Sequence, residues 1–255
     1  LKLYNGDCVE VMKKLSSDSI DMSITSPPYD NLRNYKGNTS FDISSITKEL
    51  FRITKEGGVV VWVVADATID KSETGSSFNQ AINFMSVGFK LHDTMIFAKN
   101  NPIPQIYRKR YNNEFEYMFV FSKEYVKTHN AIKVPTIHGG LKLKNTTYKN
   151  YSKNEQGREK KAKPVKNEKI KGNIWYYTVG VNKVDKQSKF HPAPFPYKLA
   201  EDHIISWTNE GDTVLDPMMG SGSVGLACKK NNRNFIGIEI EKEYFDLAKE
   251  RIETR

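Results

Sequence analysis

Two hydrophobic periods alternate along this 255-residue chain. Val59, Val60, Val61, Trp62, Val63 and Val64 are apolar without interruption, the pattern of a strand covered on both faces, and so predict a parallel sheet sandwiched between helices. Shorter apolar runs predict strands at 1–4, 20–25, 94–98, 117–122, 213–216 and 235–240. Between them apolar residues recur at helical spacing. Val9, Met12 and Leu15 predict a helix over 7–15. Ile43, Ile46, Leu50 and Ile53 predict one over 41–53, ended by Gly57-Gly58. Further helices are predicted over 78–87, through Leu199, Ile204, Ile205 and Trp207 up to Gly211, from Leu226 to about 230, and over 244–252. Strands alternating with helices in this way predict an α/β doubly wound fold.

The alternation breaks between residues 123 and 189. Here apolar periodicity fades, and residues 142–171 hold eleven Lys or Arg against three acids, Glu155, Glu159 and Glu168. A basic run of this kind is often a solvated insertion. Interleaved Tyr148, Tyr151, Trp175, Tyr176 and Tyr177 add stacking surface that a solubilising tail does not need, which favours nucleic-acid contact. The formal charge of +9 points the same way, toward a polyanion. The expected organisation is 1–122, an inserted region at 123–189, and 190–255. Residues 30–40 are polar and aperiodic and read as a loop.

Composition narrows the function classes. At 38% hydrophobic and 27% charged residues, the chain reads as a globular protein with a substantial core. Its longest apolar run, 59–65, is too short to span a bilayer. The first residues hold no apolar signal segment, so a cytoplasmic protein without a membrane role is expected. Cys8 and Cys228 support neither a disulfide framework nor a thiolate metal site. His92, His129, His138, His191 and His203 show no metal-ligand spacing, and no metal is expected.

Two stretches carry candidate chemistry. In the first, the 20–25 strand runs into Ser26-Pro27-Pro28-Tyr29. Neither proline donates to a sheet ladder, and the residue before each is held extended. Stiff acceptors at Ser26 and Pro27 beside the flat ring of Tyr29 suit an exocyclic amino group on a planar base. A plain Pro-Pro turn with a surface tyrosine is the competing reading. In the second, the 213–216 strand meets Pro217-Met218-Met219-Gly220-Ser221-Gly222-Ser223, then a helix, then a strand ending in Glu239. Such a unit lets a nucleoside approach the backbone, offers helix N–H groups to an anion, and places a carboxylate on ribose hydroxyls. Gly225 follows Gly222 by three residues rather than two, so the dinucleotide fingerprint is only partly met, and no lysine in the turn meets a phosphate. Asp216 before the turn suits the amino group and sulfonium of S-adenosylmethionine (SAM), the cofactor these residues favour.

Taken together, Thr25-Ser26-Pro27-Pro28-Tyr29, Leu215-Asp216-Pro217-Met218-Met219-Gly220-Ser221-Gly222-Ser223, Ile236-Gly237-Ile238-Glu239-Ile240, Asn5-Gly6-Asp7-Cys8 and His191-Pro192-Ala193-Pro194-Phe195-Pro196 resemble the beta class of SAM-dependent DNA amino-methyltransferases. That class modifies N4 of cytosine or N6 of adenine. The resemblance implies a Rossmann-like methyltransferase fold, circularly permuted, with the target-recognition region at 123–189. It implies Ser26, Pro27, Pro28 and Tyr29 as catalytic residues holding a flipped base. For the cofactor it implies Asp7 and Cys8 at the adenine end and Glu239 at the ribose. Asp216, Pro217, Met218, Gly220, Ser221, Gly222 and Ser223 would lie at the methionine end. Met218 stands where the class usually has Phe, an adaptable substitute. Ser26, where adenine enzymes more often have Asp, leans toward cytosine N4. DNA is the implied partner, and the class is compatible with a homodimer and a cognate restriction endonuclease. No Pro-Cys dipeptide is present, which argues against cytosine C5 methylation. Two readings from other classes compete, an RNA or protein amide methyltransferase and a non-catalytic DNA-binding module. Protein amide enzymes generally carry Asn before the prolines, and a dead module should have lost Asp216, Tyr29 or the glycines.

Overall fold

The structure, a computed structural model, describes residues 1–28, 41–102, 104, 109–137, 140, 165–179 and 195–254. Tyr29, the 30–40 loop, His138, Tyr148, Tyr151, most of the lysine run and 191–194 lie outside the described residues. Two compact units are present, one made of Leu1–Asn130 with Asn173–Arg255, the other of Ala131–Gly172.

The larger unit is built on an eight-stranded sheet in the order β1-β12-β11-β2-β3-β7-β6-β10. Its strands are β1 (Lys2–Asn5), β2 (Ile20–Thr25), β3 (Thr54–Val64), β6 (Lys90–Lys99), β7 (Phe115–Ser122), β10 (Ile174–Tyr177), β11 (Thr213–Asp216) and β12 (Asn234–Glu239). All neighbours are parallel except that β7 runs antiparallel to both β3 and β6. Seven strands therefore end at one edge of the sheet. The uninterrupted Val59–Val64 run is buried throughout, as its pattern predicts. It nevertheless has one antiparallel neighbour, because burial on both faces requires cover and leaves strand direction open.

Helices α1 (Cys8–Met12), α2 (Ile43–Ile53), α3 (Ser76–Ser86), α4 (Tyr197–Trp207), α5 (Ser223–Lys230) and α6 (Lys242–Thr254) accompany the sheet. One face of β3 and β7 presents Val60, Trp62, Val64, Phe119 and Phe121 to a core that includes Ile46, Leu50 and Phe84 of α2 and α3. There Phe84 stacks on Phe121 with centroids 4.4 Å apart, and buried Trp62 donates its indole N–H to Gln80 Oε1 at 2.7 Å. On the other face Met118 meets His203 of α4. His203 is fully buried and accepts from Trp207 at Nδ1, and His92 and His129 pack on the Trp207 ring. Of the three only His203 is buried, while His92 and His129 are exposed residues laid on the Trp207 ring; among the described residues no three His, Cys, Asp or Glu side chains gather into a metal site. Among the same residues no helix is long and apolar enough to cross a membrane.

Two expectations need correction. Helix α2 stops at Ile53 and Thr54 begins β3 directly, so Gly57-Gly58 lies inside a strand. Gly57 adopts φ +78°, and a Cβ there would meet Lys127 Cβ at 2.7 Å. A Cβ on Gly58 would meet the Asp21 carbonyl at 2.9 Å. The pair serves a close approach of backbones beside a register shift between Ile20 and Met22. Trp175 and Tyr177 are the second correction. Both are buried within the larger unit on β10, so they are core and not stacking surface, and only Tyr176 of this strand's three aromatic residues faces out.

The smaller unit contains β8 (Lys133–Pro135) paired antiparallel with β9 (Glu168–Ile170). Between β3 and α3 of the larger unit, β4 (Thr68–Ile69) and β5 (Ser72–Glu73) form a two-residue hairpin with Asp70 and Lys71 at positive φ.

Candidate active site

The two motif stretches meet because their strands are neighbours. Strand β11 lies between β2 and β12, with Leu215 opposite Ser23 and Asp216 opposite Gly237. Thr213 N–H also donates to Asp21 Oδ2 at 2.9 Å, joining residues 192 apart in sequence. The end of β2, where Thr25 and Ser26 lead into the prolines, thus abuts the end of β11 at Asp216 and Pro217. Pro27 is buried, and Ser26 and Pro28 are half-buried. Tyr29, the fourth catalytic candidate, is outside the described residues.

Asp216 is the electrostatic centre of this edge. Burial pushes its carboxyl from the ordinary carboxylate range up to about 7, with Glu239 adding to the rise. The Thr25 hydroxyl and the Met218 N–H oppose it. Met218 N–H donates to Asp216 Oδ1 at 3.1 Å. Thr25 Oγ1 is itself buried without a hydrogen bond of ordinary geometry, as is Ser23 Oγ. A buried carboxyl beside the Thr25 hydroxyl, its charge compensated only in part, is an acceptor set suited to a cationic amino group. Thr25 was legible in the motif, but its neighbourhood to Asp216 follows from strand order alone.

The glycine turn is tied to β12. Met219 N–H donates to the Ile238 carbonyl at 2.8 Å, and Gly220 N–H to Glu239 Oε2 at 2.8 Å. The other Glu239 oxygen accepts from Glu241 N–H at 2.9 Å. Burial raises the Glu239 carboxyl, and these two N–H donors offset part of the rise. Gly220 and Gly222 hold φ +50° and +79°. Gly222 precedes α5, whose first turn, opened by Ser223, has N–H groups without helical acceptors. Gly225 has a different task. A Cβ there would strike Ile252 Cδ1 at 2.4 Å and Phe235 Cε1 at 2.7 Å, so it is a packing glycine behind the turn.

The start of the chain completes the edge. Asn5 Nδ2 donates to the carbonyls of Glu239 and Ile240, and Gly6 N–H to Glu239 O at 3.0 Å. Asp7 then caps α1 by accepting from Glu10 N–H at 3.0 Å. Cys8 follows, its thiol pushed up to about 12 by burial and by the Asp7 charge, which leaves it inert as a nucleophile. Asp7, Cys8, Asp216, Pro217, Met218, Gly220, Ser221, Gly222, Ser223 and Glu239 therefore line three adjacent strand ends. Open α/β sheets bind ligands at such an edge.

Comparison with known proteins gives the family. The family model described as DNA methylase, covering N6 and N4 methyltransferases, matches residues 20–250. The orphan methyltransferase M.BamHII of Bacillus amyloliquefaciens is 49% identical over 254 residues, covering 98% of this chain and 91% of its own. The type II methyltransferase M.BglII of Bacillus subtilis is 28% identical over 260 residues, covering 97% and 67%. Among solved structures, the cytosine-N4-specific PvuII DNA methyltransferase superposes with a TM-score of 0.72 at 21% identity, covering 98% of this chain and 85% of that one. The SAM complex of M1.HpyAVI superposes at 0.62 with 27% identity and 98% coverage of each chain. The chain belongs to the N6/N4 DNA methylase family, and is a SAM-dependent DNA amino-methyltransferase with the Rossmann-like fold of that family.

Proposed function

We propose that this enzyme methylates N4 of cytosine in DNA, on a base drawn out of the duplex into the edge between β2 and β11. The observation that supports the reading is that β2 and β11 are paired neighbours and that the Thr25 hydroxyl, next to Ser26-Pro27 in sequence, meets Asp216, so the candidate base acceptors and cofactor residues share one edge of the sheet. SAM supplies an electrophilic methyl carried on a sulfonium.

The chain's own residues do the rest. Asp7 and Cys8 take the adenine end of the cofactor and Glu239 the ribose. Asp216, Pro217, Met218 and the Gly220–Ser223 turn hold the methionine end, with the Asp216 carboxylate facing its ammonium. Extrusion of the base costs a few kcal/mol, and stacking on Tyr29 recovers part of that. The amino nitrogen of a base is a poor nucleophile because its lone pair is delocalised. Acceptors at Ser26 and Pro27 bind its N–H bonds and bring the lone pair out of conjugation. They act without reorganising, because Pro27 and Pro28 lock the backbone that carries them. The remaining acceleration is proximity. Ser26 supports cytosine over adenine by resemblance, because adenine enzymes of the class more often carry Asp at this position. The basic 123–189 region reads the target.

Nucleosides from DNA treated with enzyme and isotopically labelled SAM test this by mass spectrometry. Label on N4-methyldeoxycytidine is the expected result. Label on N6-methyldeoxyadenosine would keep the cleft chemistry and overturn the base assignment.

A further inference from the structure

Arg251 is the largest charged side chain withdrawn from water among the described residues, at 0% exposure. Burying a guanidinium is unfavourable unless its charge is used. Here Nη1 donates to the backbone carbonyl of Ser221, in the middle of the glycine turn. The rest of that face of α6 presses on the same turn. A Cβ on Gly222 would lie 3.1 Å from Ala248 Cβ and 3.0 Å from Ile252 Cδ1. The end of α6 is itself fixed to α5, because Lys229 Nζ donates to the carbonyls of Ile252 and Glu253 at 2.8 and 3.2 Å. The peptide before Gly220 is held by its N–H on Glu239, and the Ser221–Gly222 peptide is held at its other side by Gly222 N–H on the Met219 carbonyl, so Arg251 is the second anchor of that plane. The Ser221 carbonyl is the group of the turn that Arg251 holds from behind.

We propose that Arg251 is a positioning residue for the cofactor. It pins the peptide plane between Ser221 and Gly222 against α6 and so fixes, before any ligand arrives, the backbone on which the methionine end of SAM is seated. The proposal rests on the reading of this turn as the SAM site. A charged donor suits the task better than an apolar filler: Leu or Met of similar bulk would fill the space but leave the Ser221–Gly222 peptide anchored at its N–H alone.

Two variants and a control separate this from simple packing. Arg251→Met keeps bulk without the donor, and Arg251→Lys restores a cationic donor. Calorimetry with SAM, steady-state kinetics with DNA, and circular dichroism are recorded on each, with Asp216→Asn as the control for the site itself. Expected for Arg251→Met is a rise of about tenfold or more in the SAM dissociation constant and KM, the effect of removing one charge-assisted hydrogen bond. Its kcat at saturating SAM should stay within about twofold of wild type, and Arg251→Lys should regain most of the affinity. If Arg251→Met does not fold, a further variant, Arg251→Gln, decides by keeping a donor without the charge: a raised KM for SAM at unchanged kcat supports positioning, and a lowered melting temperature with wild-type KM overturns it. Unchanged SAM affinity in a folded Arg251→Met, or a reduction confined to kcat, likewise overturns it. Undiminished SAM affinity in Asp216→Asn would instead remove the reading of the turn as the cofactor site, and the Arg251 proposal with it.

Discussion

The protonation of Asp216 gives this site a measurable pH signature. Its carboxyl is raised to about 7 in the folded, ligand-free protein, against 3.8 when unperturbed. Between those values the folded state binds more protons at this residue than the unfolded state. Stability from this group is therefore fully present below the unfolded value and is lost as pH rises to about 7. Asp216→Asn should flatten that part of a plot of melting temperature against pH. A cationic ligand favours the carboxylate, so SAM affinity should rise with pH, by up to about tenfold per unit below 7, and level off above it. Calorimetry in buffers of different ionisation enthalpy should show proton release on binding at pH 6 and almost none at pH 8. A flat affinity across this range would mean that Asp216 does not meet the ammonium. At Ser26 and Tyr29 the expected outcome is a separation of functions. Ser26→Ala or Tyr29→Ala should reduce methyl transfer to background while SAM affinity stays near wild type. Full activity in Tyr29→Ala would refute the stacking role. These residues were legible because Pro-Pro and Gly-x-Gly have few structural meanings. The contact of Thr25 with Asp216 and the part of Arg251 were not, since strand order and an arginine in an amphipathic helix say nothing until tertiary contacts are known.

Among the elements, the glycines of the turn divide into two kinds. Gly220 and Gly222 are required by positive φ, whereas Gly225 is required by the proximity of Ile252 and Phe235. Gly225→Ala should overpack this region at a cost of about 1–3 kcal/mol, seen as a melting temperature lower by several degrees. SAM affinity should fall as well, because α6 would be displaced from behind the turn. An Ala variant with wild-type melting temperature would show that the packing relaxes freely. Strand boundaries were most legible where a breaker stood beside an apolar run, as at Thr213–Asp216 and Ile20–Thr25. They were least legible where glycine served a bulge, as at Gly57-Gly58, whose pattern matches a helix terminator. Strand β10 was hidden for another reason. Its buried and exposed residues alternate as in any edge strand, but it follows directly on a lysine-rich stretch, and composition masked the period.

For the molecule as a whole, chain order and spatial order differ. Strand β2, which leads into the proposed base-holding motif, comes early and β11, which leads into the proposed cofactor turn, comes late, yet they are adjacent in the sheet. The order of motifs made this permutation legible, and the turn chemistry made the cofactor so. Direction in the second half of the sheet was not, because the antiparallel β7 is as apolar as its parallel neighbours. The positive charge of the chain is concentrated in 142–171, with eleven basic residues against three acids. Neutralising four of these lysines to Gln should weaken DNA binding and reduce the slope of log affinity against log salt, by about 0.9 for each phosphate that is no longer neutralised. Fluorescence anisotropy over a salt series checks this, and an unchanged slope would assign the region a passive role. That two distant motifs share one cleft is the claim on which the rest depends. A crystal structure of the protein with SAM tests it most directly: the sulfonium methyl should lie against the Ser26-Pro27 backbone, with the ammonium on Asp216. A cofactor seated with its methyl directed away from β2, or bound elsewhere on the sheet, would contradict the account.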